Sequence, residues 1–322
     1  MTFSENSFIN LLNEGYSLIC EGDFHEAVKK LEVLMSKEPD FPGLIDAYRT
    51  ARFWYNRTDE LNSMSLGKKM ADFLMSEWSV YDEYAKENGA FNSNAYKAVM
   101  TYIFSKASEN YRDAFMKQEE STDDVNLLLN LGSCFLRLGE YQKAVDTLEY
   151  AGKAYNTSAR LLSILAEANF HLGDVAKSLW YFREAFFIDP SEIDLELIKA
   201  EPVKRLYDLV VQNCSSALDP REWIPVFGFI YDIFYVRKNL QERQVNIIKD
   251  DLYRLEVNFQ RMNRDQIEVS NVLPRLLNRY LWLLDYYEFQ NYSYENINEI
   301  KTRLLNIEPN LFEEYFTKSR AK

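Results

Sequence analysis

Apolar residues recur three and four positions apart along most of the chain, the spacing that gathers side chains onto one face of a helix. Leu128, Leu131, Phe135 and Leu138 make one such stripe, and Ala144, Val145, Leu148 and Ala151 make the next. Gly139 stands between them. Glycine enters the left-handed conformation that ends a helix without steric cost, so Gly139 reads as the stop of a first helix and the turn into a second. The unit this predicts is a helix–turn–helix, and the pattern as a whole predicts an all-α protein.

The unit repeats. Gly139 to Gly173, Ala151 to Ala185 and Asn156 to Pro190 are each 34 residues. A further copy is written near the start as Leu11, Gly15, Gly22-Asp23-Phe24, Ala27, Leu31 and Glu38-Pro39. Gly132 and Ala144 fall where the two helices of a unit would cross, and their lack of bulk lets the backbones approach. Pro39 and Pro190 close the second helices, because proline lacks a backbone donor and keeps the residue before it out of the helix.

A 34-residue helix pair with this punctuation resembles the tetratricopeptide repeat (TPR) family, specifically over 125–192 and well over 8–41. Four positions depart from the pattern: Glu14 and Asn169 replace apolar residues, Ser178 replaces alanine and Asn156 replaces proline. The resemblance implies a right-handed α-solenoid of TPR and TPR-like hairpins with a divergent C-terminal helical segment. It also implies a concave groove, lined by the first helix of each repeat, that holds a peptide or helix of another protein. Carried over residue by residue, that groove would be lined by Asn126, Leu129, Asn130, Ser133 and Arg137 in one repeat. In the next it would be lined by Arg160, Ser163, Glu167, Phe170 and His171, and in the N-terminal one by Ile9, Leu12, Tyr16 and Ile19. Leu12, Ile19, Leu129 and Phe170 have an equally good reading as packing between repeats. Asn126, Asn130, Ser133, Arg137, Arg160, Ser163, Glu167, His171 and Tyr16 are the partner-binding candidates, and arginine's planar fork suits backbone amides and carboxylates. Chaperone-binding members of the family grip a C-terminal carboxylate with lysines and asparagines. Asn13 and Asn130 match the asparagine sites, but Leu12, Leu129 and Asn126 stand where lysines belong and Ile164 where an arginine belongs. That specialisation is therefore not expected.

Outside these repeats the chain stays helical but loses the register. Residues 43–57, 63–87, 93–106 and 108–119 read as two longer helix pairs, with turns at 56–59 and 87–89 and a polar linker at 121–124. A short helix is expected over 194–200 and another from Pro202 to about Gln212, followed by a polar break over 213–218. Asp219-Pro220-Arg221-Glu222 reads as a helix start, with Asp219 as cap and Glu222 placed to reach back. The helix it opens, to about 236, is apolar nearly all round and must be covered on several sides. Val245, Ile248, Leu252, Leu255, Phe259 and Met262 form a coiled-coil-like seam, and Leu273, Leu277, Tyr280, Leu284 and Tyr287 form a second. An antiparallel hairpin closing one seam on the other is the simplest expectation. Helices over 294–307 and 310–318 would complete the array. The organisation read from the sequence is thus 1–41, 42–124, 125–192, 193–220 and 221–322.

Composition narrows the function. The 322 residues carry 37 Lys and Arg against 50 Asp and Glu, a net charge of −13. Such a chain repels phosphate backbones and anionic lipid, so neither nucleic-acid binding nor membrane insertion is expected. Only residues 221–280 are net basic, and their arginines look dispersed. Cys20, Cys134 and Cys214 are odd in number and far apart, which suits reduced thiols in a cytoplasmic protein better than a disulfide framework or a metal site. His25 and His171 are the two histidines, so no HExxH exists, and no GxGxxG, P-loop, EF-hand or GxSxG elbow occurs. The acid pairs Glu119-Glu120, Asp123-Asp124, Asp250-Asp251 and Glu313-Glu314 suit helix ends and solvated faces. No cofactor, metal or enzymatic activity is expected. The reading is a cytoplasmic adaptor or scaffold that binds another protein or peptide. Self-association through the C-terminal helices is an alternative, and an enzyme without a recognisable motif a more distant one.

Overall fold

The computed structural model describes residues 5–117, 124–155, 157–214, 219–234 and 240–319. Among them, all regular structure is helical, arranged largely as consecutive helix hairpins. The chain forms two compact units, Met1–Asn156 and Thr157–Lys322. The boundary between them falls between the two strongest repeats. Asn156, the acid pair Glu119-Glu120, the linker residues 121–123, residues 215–218 of the polar break and the end of the apolar window at 235–236 lie outside the described residues.

The first unit contains α1 (Glu5–Glu21), α2 (Phe24–Met35), α3 (Leu44–Tyr55), α4 (Thr58–Ser63), α5 (Lys68–Glu87), α6 (Asn94–Lys117), α7 (Asp124–Arg137) and α8 (Tyr141–Ala154). The pairs α1/α2 and α7/α8 are built alike. A Cβ on Gly15 would stand 2.9 Å from Leu31, and one on Gly132 would stand 2.7 Å from Leu148. Both glycines therefore sit at the crossing, as the sequence predicts for Gly132. The turns also match. Gly22 and Gly139 have φ of +80° and +76°. In each, the next N–H reaches back five residues, Asp23 to Leu18 and Glu140 to Phe135, at 2.9 Å. This bond satisfies a carbonyl that the helix end would otherwise leave open.

The middle of this unit departs from the expected pair of helix pairs. Residues 93–106 and 108–119 are not two helices, because α6 runs unbroken through Ala107. Its buried residues Val99, Ile103, Phe104, Ala107, Tyr111 and Ala114 form one continuous stripe. Residues 63–87 do not form one helix, because Gly67 at φ +95° separates α4 from α5. The Gly67 N–H donates to the buried Asn110 side chain of α6 at 2.9 Å, which fixes where α5 begins. Helix α6 packs on α1, α3, α5 and α7 and so works as a hub. The space around it is filled by large rings: Trp54, Trp78, Tyr81, Tyr96 and Phe104 are buried together, with Trp78 4.9 Å from Phe104 and 5.2 Å from Tyr96. Here aromatic side chains, rather than the small residues of the α1/α2 and α7/α8 crossings, fill the contacts between helices, and α5 and α6, at 20 and 24 residues, are longer than the helices of the 34-residue unit.

The second unit contains α9 (Ala159–His171), α10 (Val175–Ile188), α11 (Glu201–Asn213), α12 (Pro220–Ile230), α13 (Glu242–Arg261), α14 (Arg264–Glu268), α15 (Val272–Phe289), α16 (Tyr294–Ile307) and α17 (Pro309–Ser319). The α9/α10 hairpin repeats the same turn, with Gly173 at φ +86° and Asp174 N–H on the Asn169 carbonyl at 3.0 Å. The three described departures from the repeat pattern have separate outcomes. Glu14 is exposed and pairs with Lys30. Asn169 is buried and donates to the Leu165 carbonyl at 2.7 Å. Ser178 is fully buried and its hydroxyl has no hydrogen-bond partner among the described residues.

Two sequence readings need correction in this unit. Residues 194–200 are not a helix; only a turn forms at 195–197, and a short 3-10 turn precedes it at Pro190–Glu192. Glu222 does not reach back to cap α12. Asp219 alone accepts the Arg221 N–H, and Glu222 is buried on Arg275, with bonds of 2.6 and 2.9 Å. Arg275 also reaches Asp189 at 3.0 Å. Helix α12 stops at Ile230, short of the expected 236, where Asp232 takes φ +56° and Ile233 N–H returns to the Gly228 carbonyl at 2.9 Å. Its apolar surface is covered by α10, α11 and α15. The expected hairpin of the two long seams is present: α13 packs on α15, and Val245, Ile248 and Leu252 meet a helix in which Leu273, Leu277, Tyr280, Leu284 and Tyr287 are all buried. The short α14 lies between them. Long side chains tie α10 to α15. Arg183 pairs with Asp285 at 2.6 Å over the Trp282 ring, and Phe187 lies 4.3 Å from Trp282.

Replacing Arg275 with alanine leaves Glu222 buried without its cation. The expected loss is about 3 to 4 kcal/mol in denaturant unfolding of the second unit. Ser178→Ala acts in the opposite direction. It removes a buried, unsatisfied hydroxyl and restores the residue found at Ala27 and Ala144, and a gain of about 1 kcal/mol is expected in the same measurement.

Candidate protein-interaction surface

In the first unit the residues in question are carried mainly by α7. Its N-terminal turn leaves Asn126 exposed. One turn on, the Asn130 amide donates to the Tyr111 hydroxyl at 3.2 Å, and Tyr111 donates to Asp72 at 2.8 Å. This chain of bonds stitches α7, α6 and α5. Burial pushes the Tyr111 phenol up, and donation to the Asp72 carboxylate pushes it further, so it stays a neutral donor. Ser133 lies inside, only 3% exposed, with its hydroxyl turned back to the Leu129 carbonyl at 2.9 Å. Arg137 is half-buried at the end of α7, its guanidinium 5.1 Å from the centre of the Phe104 ring. Near it, Tyr96 donates to Asp82, which joins α6 to α5. Cys134 is buried beside Met75, and burial pushes its thiol up to about 12. In α1, Tyr16 is half-buried and donates to the Gly43 carbonyl at 3.3 Å, fixing the start of α3. Leu12, Ile19 and Leu129 are buried, so the packing reading holds for them, while Ile9 is at the surface.

In the second unit α9 carries the matching stripe. Arg160 is half-buried and its backbone N–H meets the Glu192 carboxylate at 3.4 Å. Ser163 is buried and donates to the Arg160 carbonyl at 2.9 Å. Phe170 is half-buried, and His171 is exposed. Glu167 is 1% exposed. Its carboxylate accepts the backbone N–H groups of Lys199 at 2.7 Å and Ala200 at 3.1 Å, and bonds the His171 ring at 2.9 Å. Glu167 thus anchors the segment that leads into α11, where a negative charge at a helix start is favourable. Its partners lie far along the chain in a segment without periodicity, so no sequence signal marked them.

The two units therefore sort the nine candidates. Asn126, Arg137, Arg160 and His171 reach the surface wholly or in part. Asn130 and Tyr16 are half-buried in bonds between helices, and Ser133, Ser163 and Glu167 face the interior. The Lys-type positions Leu12 and Leu129 and the Arg-type position Ile164 hold buried apolar side chains. A cleft of about 390 Å³ opens in the segment 193–220, lined by Leu195, Glu196, Ile198, Lys199, Val203, Lys204, Tyr207 and Asp208. The seam of α13 and the apolar face of α12, on which the alternative of self-association rests, are largely covered within this unit. No helix among the described residues is long and apolar enough to cross a membrane.

No protein-family model matches the chain, and neither a characterised protein nor a solved structure matches it.

Replacing Glu167 with glutamine keeps its volume but removes the charge that two backbone donors and the His171 ring share. The expected outcome is a loss of about 2 kcal/mol in stability of the second unit, with earlier hydrogen exchange at the Lys199 and Ala200 amides.

Proposed function

We propose that the chain is a non-enzymatic TPR-type adaptor whose hairpins are of the right-handed solenoid kind and whose open helix faces hold a protein or peptide segment. The observation that supports this reading most directly is the threefold recurrence of one hairpin. Gly22, Gly139 and Gly173 make the same turn with the same five-residue bond, and small residues stand at the same place in the first helix as Gly15, Gly132 and Ala166. Repeats of this kind expose a first-helix face that other polypeptides can lie against. In the first unit that face offers Asn126 and Arg137, and in the second Arg160 and His171. Their polar tips can read backbone amides and carboxylates. A cytoplasmic location and membership of a larger assembly are part of the same proposal.

Affinity capture from the native cell tests it. Wild type and an Arg137→Glu/Arg160→Glu variant are compared after circular dichroism shows equal helicity. The variant is expected to lose at least one protein that wild type retains. Equal recovery of every co-purifying protein would remove these faces as the binding surface.

A further inference from the structure

Helix α13 is the long helix of the second unit with the least cover. Of its 20 residues, Val245, Ile248 and Leu252 are buried, and its main neighbour is α15. The line opposite this buried seam carries Arg243, Arg254 and Arg261, all exposed. They are eleven and seven residues apart. At 3.6 residues per turn these separations bring the three within about 20° of one line, roughly 16 and 10 Å apart along the axis. The dispersion of arginines seen in the sequence therefore resolves into a row once the helix is wound. Arg254 bonds Asp251 on its own helix yet remains 71% exposed, and Asp250 is the acid on the same face. Ile247, 49% exposed, stands between the first two arginines as an apolar foothold.

We infer that this face of α13 is a docking surface for an acidic helix of a partner protein. The argument is charge complementarity. Three arginines in line, with Asp250 the acid among them, make a positively biased face on a chain of net −13, and such a face favours a negatively charged guest. The residues are arginines, whose fork binds a carboxylate through two parallel bonds. A guest helix laid alongside α13 has the same rise and pitch, so its carboxylates at matching separations meet all three. A polyanion of uniform high charge, such as duplex DNA or a lipid surface, would also meet the acidic remainder of the chain and be repelled. This inference rests on α13 and not on α7 or α9, so it stands or falls apart from the function proposed above.

The test uses the full chain and a fluorescent helical peptide bearing three glutamates at the separations of the arginines, with a glutamine version as control. Fluorescence anisotropy is read at low and high salt for wild type and for Arg243→Glu/Arg261→Glu. Among the described residues neither arginine has an acidic partner that the substitution would strip, and circular dichroism checks that the variant keeps its helicity. The expected result is that wild type binds the glutamate peptide, that added salt weakens it, and that the variant binds at least about tenfold more weakly. The glutamine peptide is expected to show little binding. Equal affinity of wild type and variant, or equal affinity for both peptides, would overturn the inference. So would arginine-dependent binding to duplex DNA or phosphatidylserine vesicles that is tighter than binding to the peptide.

Discussion

Two helices can lie side by side only if the first one stops cleanly and the chain turns back without leaving carbonyl groups open. Among the described residues six helices solve that problem in one way. Gly22, Gly89, Gly139 and Gly173, and also Asp232 and Asn291, take positive φ, and the following N–H returns five residues to close the helix end. Asparagine and aspartate are the non-glycine residues that enter this conformation at least cost. The remaining architecture follows from which side chains meet after the turn. Where Gly15 and Gly132 meet Leu31 and Leu148, the helices approach closely. Where Trp78 meets Phe104, or Phe187 meets Trp282, large rings fill the contact instead.

Away from the small-residue crossings, polar groups that fall between helices need partners inside. The structure supplies them as long side chains. Arg183 reaches Asp285, Arg275 spans Glu222 and Asp189, and Tyr280 donates to Glu256, which Arg303 of α16 also bonds. Burial and the Glu256 carboxylate push the Tyr280 phenol up to about 12, so it keeps its proton and its role as donor. Such pairs fix which helix meets which, while their net contribution to stability is modest because each charge loses water. They give the irregular parts of the chain a definite arrangement that repetition does not supply.

Local pattern made much of this visible beforehand. The turn at Gly139, the crossing at Gly132, the Pro202 helix and the α13/α15 hairpin all follow from residues close in sequence, and α16 begins and ends where the pattern placed it. What stayed hidden depends on distant residues. Glu222 looked like a cap because Arg275, its true partner, lies in another helix. Glu167 looked like surface because nothing nearby revealed the Lys199 and Ala200 amides. The continuity of α6 is not marked locally, because the stripe from Val99 to Ala114 shows itself as one face only when the residues packed against it are known. The candidate surface was legible as a list of positions, but exposure separated Asn126 and Arg137 from Ser133 only after packing was known.

The reach of α6 back to α1 changes how the first unit can come apart. In a simple row of repeats each unit touches only its neighbours, so an end can fray while the rest persists. Here the N-terminal helix is held by one that is made much later in the chain. Its hairpin cannot reach full stability until the α6 segment has been synthesised, and losing α6 withdraws support from both sides at once. The N-terminal hairpin is therefore coupled to the middle of the unit instead of being free to fray as the end of a simple row would be.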